Sequence, residues 1–275
     1  MVSTVVRHPA VAGRFYPGDP GDLRAEVLTY LLPENSTDAP AVRAVGCIAP
    51  HAGYMYSGHV AGAVFARIEI PRRCIVMCPN HTGVGRALAI MSRGKWETPL
   101  GEVPIDSALA EALMQQFPAL EEDSAAHRGE HAAEVEIPFL QLRQPELTFV
   151  PIALGTGRFE ILEQLGHALA RVIGQESDPV LIVASSDMNH YEPDAVTRAK
   201  DHRAIERILT LDARGLFDVV TQQNISMCGF GPAVAMITAA RELGARSADL
   251  VKYATSGDVS GDRDMVVGYA GVVVA

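Results

Sequence analysis

Short apolar runs and longer amphipathic stretches alternate along the chain. The apolar runs are nearly continuous, which is typical of strands buried on both faces of a sheet. The stretches between them repeat apolar positions at helical spacing, which predicts helices packed on that sheet. Strands are predicted at Arg43–Ala49, Cys74–Cys78, Leu147–Leu154, Val180–Ser185, Leu250–Thr255 and Met265–Val274. Helices are predicted at Leu23–Leu32, Gly58–Ile68, Ser107–Phe117, His131–Leu142, Phe159–Ile173, Asp194–Leu209, Ala213–Gln222 and Pro232–Leu243.

The order of these elements predicts the fold class. Strands that alternate with helices form α/β architectures, with helices on both faces of a mostly parallel sheet. Only the polar turn Ser256–Asp264 separates the last two strands, which predicts an antiparallel pair and therefore a mixed sheet. Proline and glycine are dispersed rather than gathered into a linker, and Pro33–Pro40 is predicted to be an early loop. We therefore predict a single α/β domain over residues 1–275.

Composition narrows the class of protein. A chain of 275 residues, 48% hydrophobic and 20% charged, has ordinary globular usage. Its net charge of −10 opposes nonspecific binding to nucleic acid. The apolar runs are far too short for a membrane span, and the N-terminal sequence lacks the apolar core of an export signal. Since 4 cysteines in such a chain are no disulfide framework, we expect a cytoplasmic protein that binds neither nucleic acid nor membrane.

Histidines follow three of the predicted strands. His51 lies in the run PHAGY, His81 in PNHTG and His190 in SSDMNHY. Open α/β sheets bind ligands beyond the carboxyl ends of their strands, so these side chains are expected at one edge. An isolated histidine after a strand is more often a hydrogen-bonded loop residue. Two of them in glycine-containing turns favour a metal site, and His51 and His81 are therefore predicted metal ligands.

The cysteines divide into two groups. Cys228 lies just ahead of the helix predicted to begin at Pro232, where the helix dipole favours a thiolate. This position predicts a metal ligand or a nucleophile, and a small buried apolar residue is the alternative. Cys47, Cys74 and Cys78 lie inside apolar strands and are predicted to be inert core residues.

The run SSDMNHY carries many polar side chains directly after a buried strand. Asp187 and His190 have the chemistry of a general acid/base pair, in which the carboxylate orients the imidazole. A helix N-cap at Asp187 or Asn189 is the structural alternative.

The run EHAAEVEIP places His131 and Glu134 on one face of a predicted helix. They could be a ligand pair, a hydrogen-bonded network behind the ligands, or a solvated helix start with acids at its positive end. The sequence alone favours the solvated start.

These runs resemble the Memo family, whose bacterial members are called AmmeMemoRadiSam system protein B. The resemblance covers nearly the whole chain in ordered blocks. The blocks are RHPAVAGRFYP at 7–17, PHAGYMYSG at 50–58, PNHTG at 79–83, EH at 130–131, PFL at 138–140, SSD at 185–187, HY at 190–191, MCG at 227–229, YATSGD at 253–258 and VGY at 267–269.

The Memo family is similar in fold to class III extradiol dioxygenases, non-haem iron enzymes that open catechol rings. The resemblance therefore implies a dioxygenase-like single α/β domain with one metal ion in a pocket. The residues it implies are His51, His81 and Cys228 as metal ligands, Asp187 and His190 as acid/base groups, and His131, Glu134 and Tyr54 beside the pocket.

Cys228 departs from the two histidines and one carboxylate that such iron enzymes use. A thiolate is a softer ligand, which suits copper(I) and zinc as well as iron. We expect iron, with copper or zinc as alternatives, in an oxidoreductase that acts on a small molecule. The alternatives are a noncatalytic protein that binds metal or a peptide, since eukaryotic relatives are associated with phosphotyrosine peptides, and a zinc hydrolase on the same ligands.

Overall fold

The computed structural model describes residues 5–32 and 41–275, so the loop predicted at 33–40 lies outside the described residues. The strands are β1 (Val6–Arg7), β2 (Gly46–Ala49), β3 (Arg73–Pro79), β4 (Leu88–Ile90), β5 (Lys95–Thr98), β6 (Gly101–Pro104), β7 (Glu121–Glu122), β8 (Thr148–Leu154), β9 (Val180–Ser185), β10 (His190–Glu192), β11 (Ala248–Thr255) and β12 (Val266–Val274). The helices are α1 (Pro20–Leu31), α2 (Tyr54–Arg67), α3 (Ser107–Gln116), α4 (Ala125–Arg128), α5 (Ala132–Arg143), α6 (Phe159–Ile173), α7 (Asp194–Leu209), α8 (Ala213–Gln222), α9 (Phe230–Glu242) and α10 (Ser256–Ser260).

A mixed sheet forms the centre of the fold, in the order β10-β12-β2-β9-β3-β8-β4-β7, with β11 also paired to β12. The strands β2, β9, β3 and β8 run parallel, whereas β12 is antiparallel to β2 and β4 is antiparallel to β8. The predicted antiparallel pair of β11 and β12 is present. The segment between them was expected to be a turn but contains the short helix α10. The predicted mixed α/β fold class is confirmed.

Alternate residues of the parallel strands pack against helices on opposite faces of the sheet. In β3, Ile75 and Met77 contribute to the core formed with α3, α6, α7, α8 and α9. Cys74, Val76 and Cys78 contribute to the core formed with α1, α2 and α5. Burial on both faces explains the continuous apolar runs in the sequence. No helix in the described ranges has both the length and the apolar character to cross a bilayer.

Several short strands were not predicted from the hydrophobic pattern. The strands β1, β5 and β6 form a separate small sheet, in which β5 pairs with both β1 and β6. These strands have two to four residues each, and β4, β7 and β10 are equally brief. A period of two cannot be recognised over so few positions, so pattern analysis found only the longer strands.

A buried ion pair fixes the N-terminal segment to the rest of the chain. The Arg7 guanidinium contacts the Glu134 carboxylate, and both side chains are almost fully buried. Arg7 also donates to the carbonyl oxygens of His127 and Glu130, at 3.0 and 2.6 Å. Glu134 accepts further hydrogen bonds from the Tyr16 hydroxyl and from backbone N–H groups of the same segment. Arg7 therefore joins the segment around β1 to the segment that precedes α5.

Replacing Glu134 by alanine leaves the buried Arg7 guanidinium without its counter-charge. We expect the free energy of unfolding, measured by urea denaturation, to fall by about 3–5 kcal/mol. The control is Glu69→Ala, which breaks an exposed pair with Arg43 and is expected to change stability by less than about 1 kcal/mol. Equal losses in the two variants would contradict this account.

Candidate metal and acid/base site

The fold brings the three predicted metal ligands together. His51 follows β2 and His81 follows β3, with β9 between these two strands. Cys228 comes from the loop before α9, and its Sγ lies 3.3 Å from His51 Nε2. One candidate donor atom from each of His51, His81 and Cys228 lies within 4.8 Å of the others. Donor atoms bound to one tetrahedral ion are roughly 3.5 Å apart, so the cluster has the dimensions of a metal site.

A glycine allows the approach of Cys228. A Cβ atom on residue 229 would lie 2.3 Å from the Ser185 carbonyl oxygen, so only glycine lets this loop pack on β9. The Gly229 N–H donates to Ser186 Oγ at 3.0 Å. The helix that follows begins at Phe230, two residues before the predicted start at Pro232. Burial raises the pKa of the Cys228 thiol, whereas the sequence predicted a lowered pKa from the helix dipole.

Hydrogen bonds fix which nitrogen of His51 carries a proton. His51 Nδ1 lies 2.9 Å from Ser185 Oγ. That hydroxyl also lies 2.8 Å from the Ala132 carbonyl oxygen, which can only accept its proton, and 2.7 Å from Glu136 Oε1. Ser185 Oγ therefore accepts from His51 Nδ1–H. Burial lowers the pKa of His51 well below its usual value, so the ring is neutral and its Nε2 lone pair is directed toward Cys228.

The Glu130 carboxylate fixes which ring nitrogen of His81 carries a proton. This carboxylate accepts from His81 Nδ1 at 2.9 Å and from the N–H groups of His81, His131 and Ala132 at 2.6–3.0 Å. Burial opposes ionisation, but these donors prevail and lower the pKa of Glu130. A second group of potential ligands consists of His81, Glu130 and His131. The carboxylate oxygens of Glu130 already accept from four N–H donors. We therefore assign Glu130 to positioning His81 rather than to binding a metal.

His131 lies beside the cluster rather than in a solvated helix start. It is the N-cap residue of α5, and its ring is centred 4.8 Å from His81 and 5.5 Å from His51. The sequence preferred a solvated helix start here, and that interpretation is wrong because Glu130 and Glu134 are fully buried. The fold solvates neither acid; it pairs each one with buried N–H donors.

Glu134 and Tyr54 were expected beside the pocket, but their hydrogen bonds go to other parts of the chain. The hydrogen bonds of Glu134 go to the N-terminal segment. The Tyr54 hydroxyl donates to the Val135 carbonyl oxygen at 2.7 Å, and its ring packs among Tyr16 and Phe139. Glu134 therefore joins α5 to the N-terminal segment, and Tyr54 joins α2 to α5.

His190 is oriented by Ser226, not by Asp187 as the sequence suggested. His190 Nδ1 lies 2.8 Å from the Ser226 carbonyl oxygen, which can only accept, so Nδ1 carries the proton. The backbone N–H of His190 donates to Ser226 Oγ at 2.7 Å. Asp187 instead accepts from the backbone N–H of His51 at 2.8 Å. Burial raises the pKa of Asp187 to about 6, although His190 and two backbone N–H groups favour its ionised form.

A buried network holds the loop that carries His190. Asn189 is fully buried, and its Oδ1 accepts from the N–H and the hydroxyl of Ser226, both at 3.1 Å. Its backbone N–H donates to Asp201 Oδ1 at 2.8 Å, and Tyr253 donates to the other oxygen of Asp201 at 2.7 Å. Neither Asp187 nor Asn189 is a helix N-cap, because α7 starts only at Asp194.

A cavity of about 340 Å³ opens beside the cluster, between the ends of β3 and β8 and the start of α9. His81 and Cys228 contribute to its wall together with Leu154 and Phe230. The lining of this cavity includes neither Asp187 nor His190. A cavity of about 490 Å³ elsewhere is lined by residues such as Arg24 and contains none of the predicted site residues.

The Asp201 carboxyl predicts a dependence of stability on pH. Burial raises its pKa to about 7, although Tyr253 and the Asn189 N–H favour the ionised form. The folded state therefore retains a proton that the unfolded chain has released, and Asp201 lowers stability as pH rises from about 4 to about 7. We expect Asp201→Asn to remove this contribution, whose slope is at most about 1.4 kcal/mol per pH unit. Urea denaturation of both proteins measures it, and a pH-independent difference between them would contradict the assignment.

The comparisons with known proteins agree with this architecture. Residues 7–273 match the model of the family described as Memo-like protein. A MEMO1 family protein of Methanothermobacter thermautotrophicus is 43% identical over 97% of this chain and 99% of its own length. One from Methanopyrus kandleri is 43% identical over 97% of this chain and 98% of its own length.

A solved structure shares the fold at much lower identity. The crystal structure of an uncharacterized protein from Escherichia coli K12 has a TM-score of 0.55 and 12% identity, and the match covers 82% of this chain and 99% of that one. At this identity the likeness concerns the fold alone. The family match and the identities above, each over nearly the full length, show that the chain belongs to the Memo family.

Proposed function

We propose that the protein binds one metal ion through His51 Nε2, His81 Nε2 and Cys228 Sγ. The observation that carries this proposal is the convergence of these donors, whose atoms lie within 4.8 Å of one another. The Nδ1 atoms of both histidines are engaged with Ser185 and Glu130, which leaves Nε2 for the ion. Partners of this kind orient metal-binding histidines and set their tautomer.

The donor set fits iron, copper or zinc, since imidazole binds all three. The thiol favours copper(I) and zinc, whereas the resemblance to ring-opening dioxygenases favours iron, which we propose as the native metal. When bound, iron would supply redox chemistry with dioxygen. The proposed activity is the oxygen-dependent oxidation of a small phenolic molecule.

In this proposal His190 is the proton-transfer group. Its Nδ1–H is held by the Ser226 carbonyl oxygen, so a neutral ring presents Nε2 as a base. His190 Nε2 would take the proton from a substrate hydroxyl, and the Ser226 carbonyl would continue to accept from the resulting imidazolium. Asp187 holds the backbone of His51 in place through its N–H.

Cys228 supports a second candidate function, a noncatalytic protein that holds a soft metal ion. Its thiol takes the position for which ring-opening iron enzymes use a carboxylate. Such a protein would retain the metal tightly without consuming oxygen. A protein or peptide partner would then replace the small-molecule substrate.

Metal binding is tested by titrating the metal-free protein with iron(II) under anaerobic conditions. We expect about one ion per chain, and a loss of affinity in His51→Ala, His81→Ala and Cys228→Ala. Glu130→Gln should lower the affinity by about 10- to 100-fold, because it loosens His81 without removing a ligand. His202→Ala, an exposed histidine on α7, is the matched control and should bind as the unmodified protein does. Full affinity in all the ligand variants would contradict the proposal.

The catalytic part is tested by oxygen uptake of the iron-loaded protein with catechol and related phenols. We expect His190→Ala to lower the rate by about 100- to 10,000-fold while iron content stays the same. An unchanged rate would remove His190 from the mechanism. Absence of uptake in the unmodified protein, with tight iron retention, would favour the noncatalytic candidate.

A further inference from the structure

Tyr191 has an unusual backbone conformation next to His190. Its φ angle is +59°, in the left-handed region that residues other than glycine rarely adopt. Two other non-glycine residues in the described part of the chain share this sign, Leu211 and Asn224. Asparagine tolerates the left-handed region, and Leu211 is buried, so its side chain gains packing. Tyr191 is 68% exposed, so it gains little packing, and tyrosine lacks the tolerance of asparagine for this region.

The residues on both sides of Tyr191 impose this conformation. Pairing of β10 with β12 shifts register between His190 and Glu192, so Tyr191 is the extra residue of a β-bulge. His190 is fixed by Ser226. The Glu192 carboxylate accepts from Lys200 at 2.6 Å and from Asn189 at 2.7 Å. Strain that anchored neighbours impose on a residue is typical of functional sites.

The Tyr191 ring lies beside the imidazole of His190. The two ring centroids are 5.6 Å apart, with the planes inclined by 60°. An exposed aromatic face therefore borders the side chain that the proposed function assigns to proton transfer. An aromatic ring in such a position attracts a second ring by stacking or edge-to-face contact.

We propose that Tyr191 is a specificity-determining residue, whose ring contacts the ring of an aromatic substrate bound at the metal centre. The inference rests on the proposed function and names the residue that would recognise its aromatic substrate: through Tyr191, a planar aromatic molecule is preferred to an aliphatic one with the same metal-binding group. Tyr191 neither binds the metal nor moves the proton. Its removal should change the preference between substrates and leave metal affinity unchanged.

The test compares two chelators that share a hydroxamate group, benzohydroxamate and acetohydroxamate. Their affinities for the full-length zinc-loaded protein are measured by calorimetry, which avoids redox reactions. We expect the unmodified protein to prefer benzohydroxamate, and Tyr191→Ala to reduce that preference about 3- to 10-fold. Tyr191→Phe should keep the preference, and acetohydroxamate and zinc should bind all three proteins equally. Leu32→Ala, which removes an exposed apolar side chain after α1, is the control.

Tyr191→Gly provides an independent measurement. Glycine adopts the left-handed region freely, so this variant should unfold at a higher temperature while losing the aromatic preference. Equal preference in the unmodified protein and in Tyr191→Ala would overturn the role of Tyr191 while leaving the metal centre intact. Equal weakening of both hydroxamates would indicate a structural role only and would also overturn it. Failure of the unmodified protein to bind zinc would refute the proposed metal centre, and this inference with it, whereas zinc binding without binding of either hydroxamate would overturn this inference alone.

Discussion

The site depends on hydrogen bonds that occupy one nitrogen of each histidine. Nδ1 of His51, His81 and His190 lies 2.8–2.9 Å from Ser185 Oγ, Glu130 Oε1 and the Ser226 carbonyl oxygen, respectively. Polar ring nitrogens need partners, and because these partners occupy Nδ1, the second nitrogen, Nε2, carries the lone pair in all three rings. In the proposed function, two of these Nε2 atoms would bind a metal ion and the third would accept a proton. Without these bonds the rings could rotate or exchange tautomers.

The partners that orient the histidines are themselves held by the fold. Ser185 is the last residue of a central parallel strand, and Glu130 precedes α5, to whose start it is bound through backbone N–H groups. Arg7 binds the Glu130 carbonyl oxygen and so connects the N-terminal segment to the same region. Burial of these charges is tolerated because each has several partners in fixed positions. The segment that positions His81 is therefore also the one to which Arg7 joins the N-terminal part of the described chain.

The parts of this architecture that follow periodic or local rules could be predicted from the sequence. His51 and His81 were recognised because each follows an apolar strand, and parallel strands end at one edge. Ser226 could not be identified as the partner of His190, because the acceptor is a backbone carbonyl oxygen, which every residue carries. Glu130 lies beside His131 in a recognised block, but its burial depends on contacts with residues about fifty positions away. The Arg7–Glu134 pair spans 127 positions, and no local pattern indicates it.

The central claim is that His51, His81 and Cys228 form one metal centre. It is tested most directly by anomalous diffraction from crystals of the anaerobically iron-loaded protein, measured on both sides of the iron absorption edge. The account predicts a single strong peak between the Nε2 atoms of His51 and His81 and the Sγ atom of Cys228. A peak among His81, Glu130 and His131, or none at these side chains in fully loaded crystals, would contradict it.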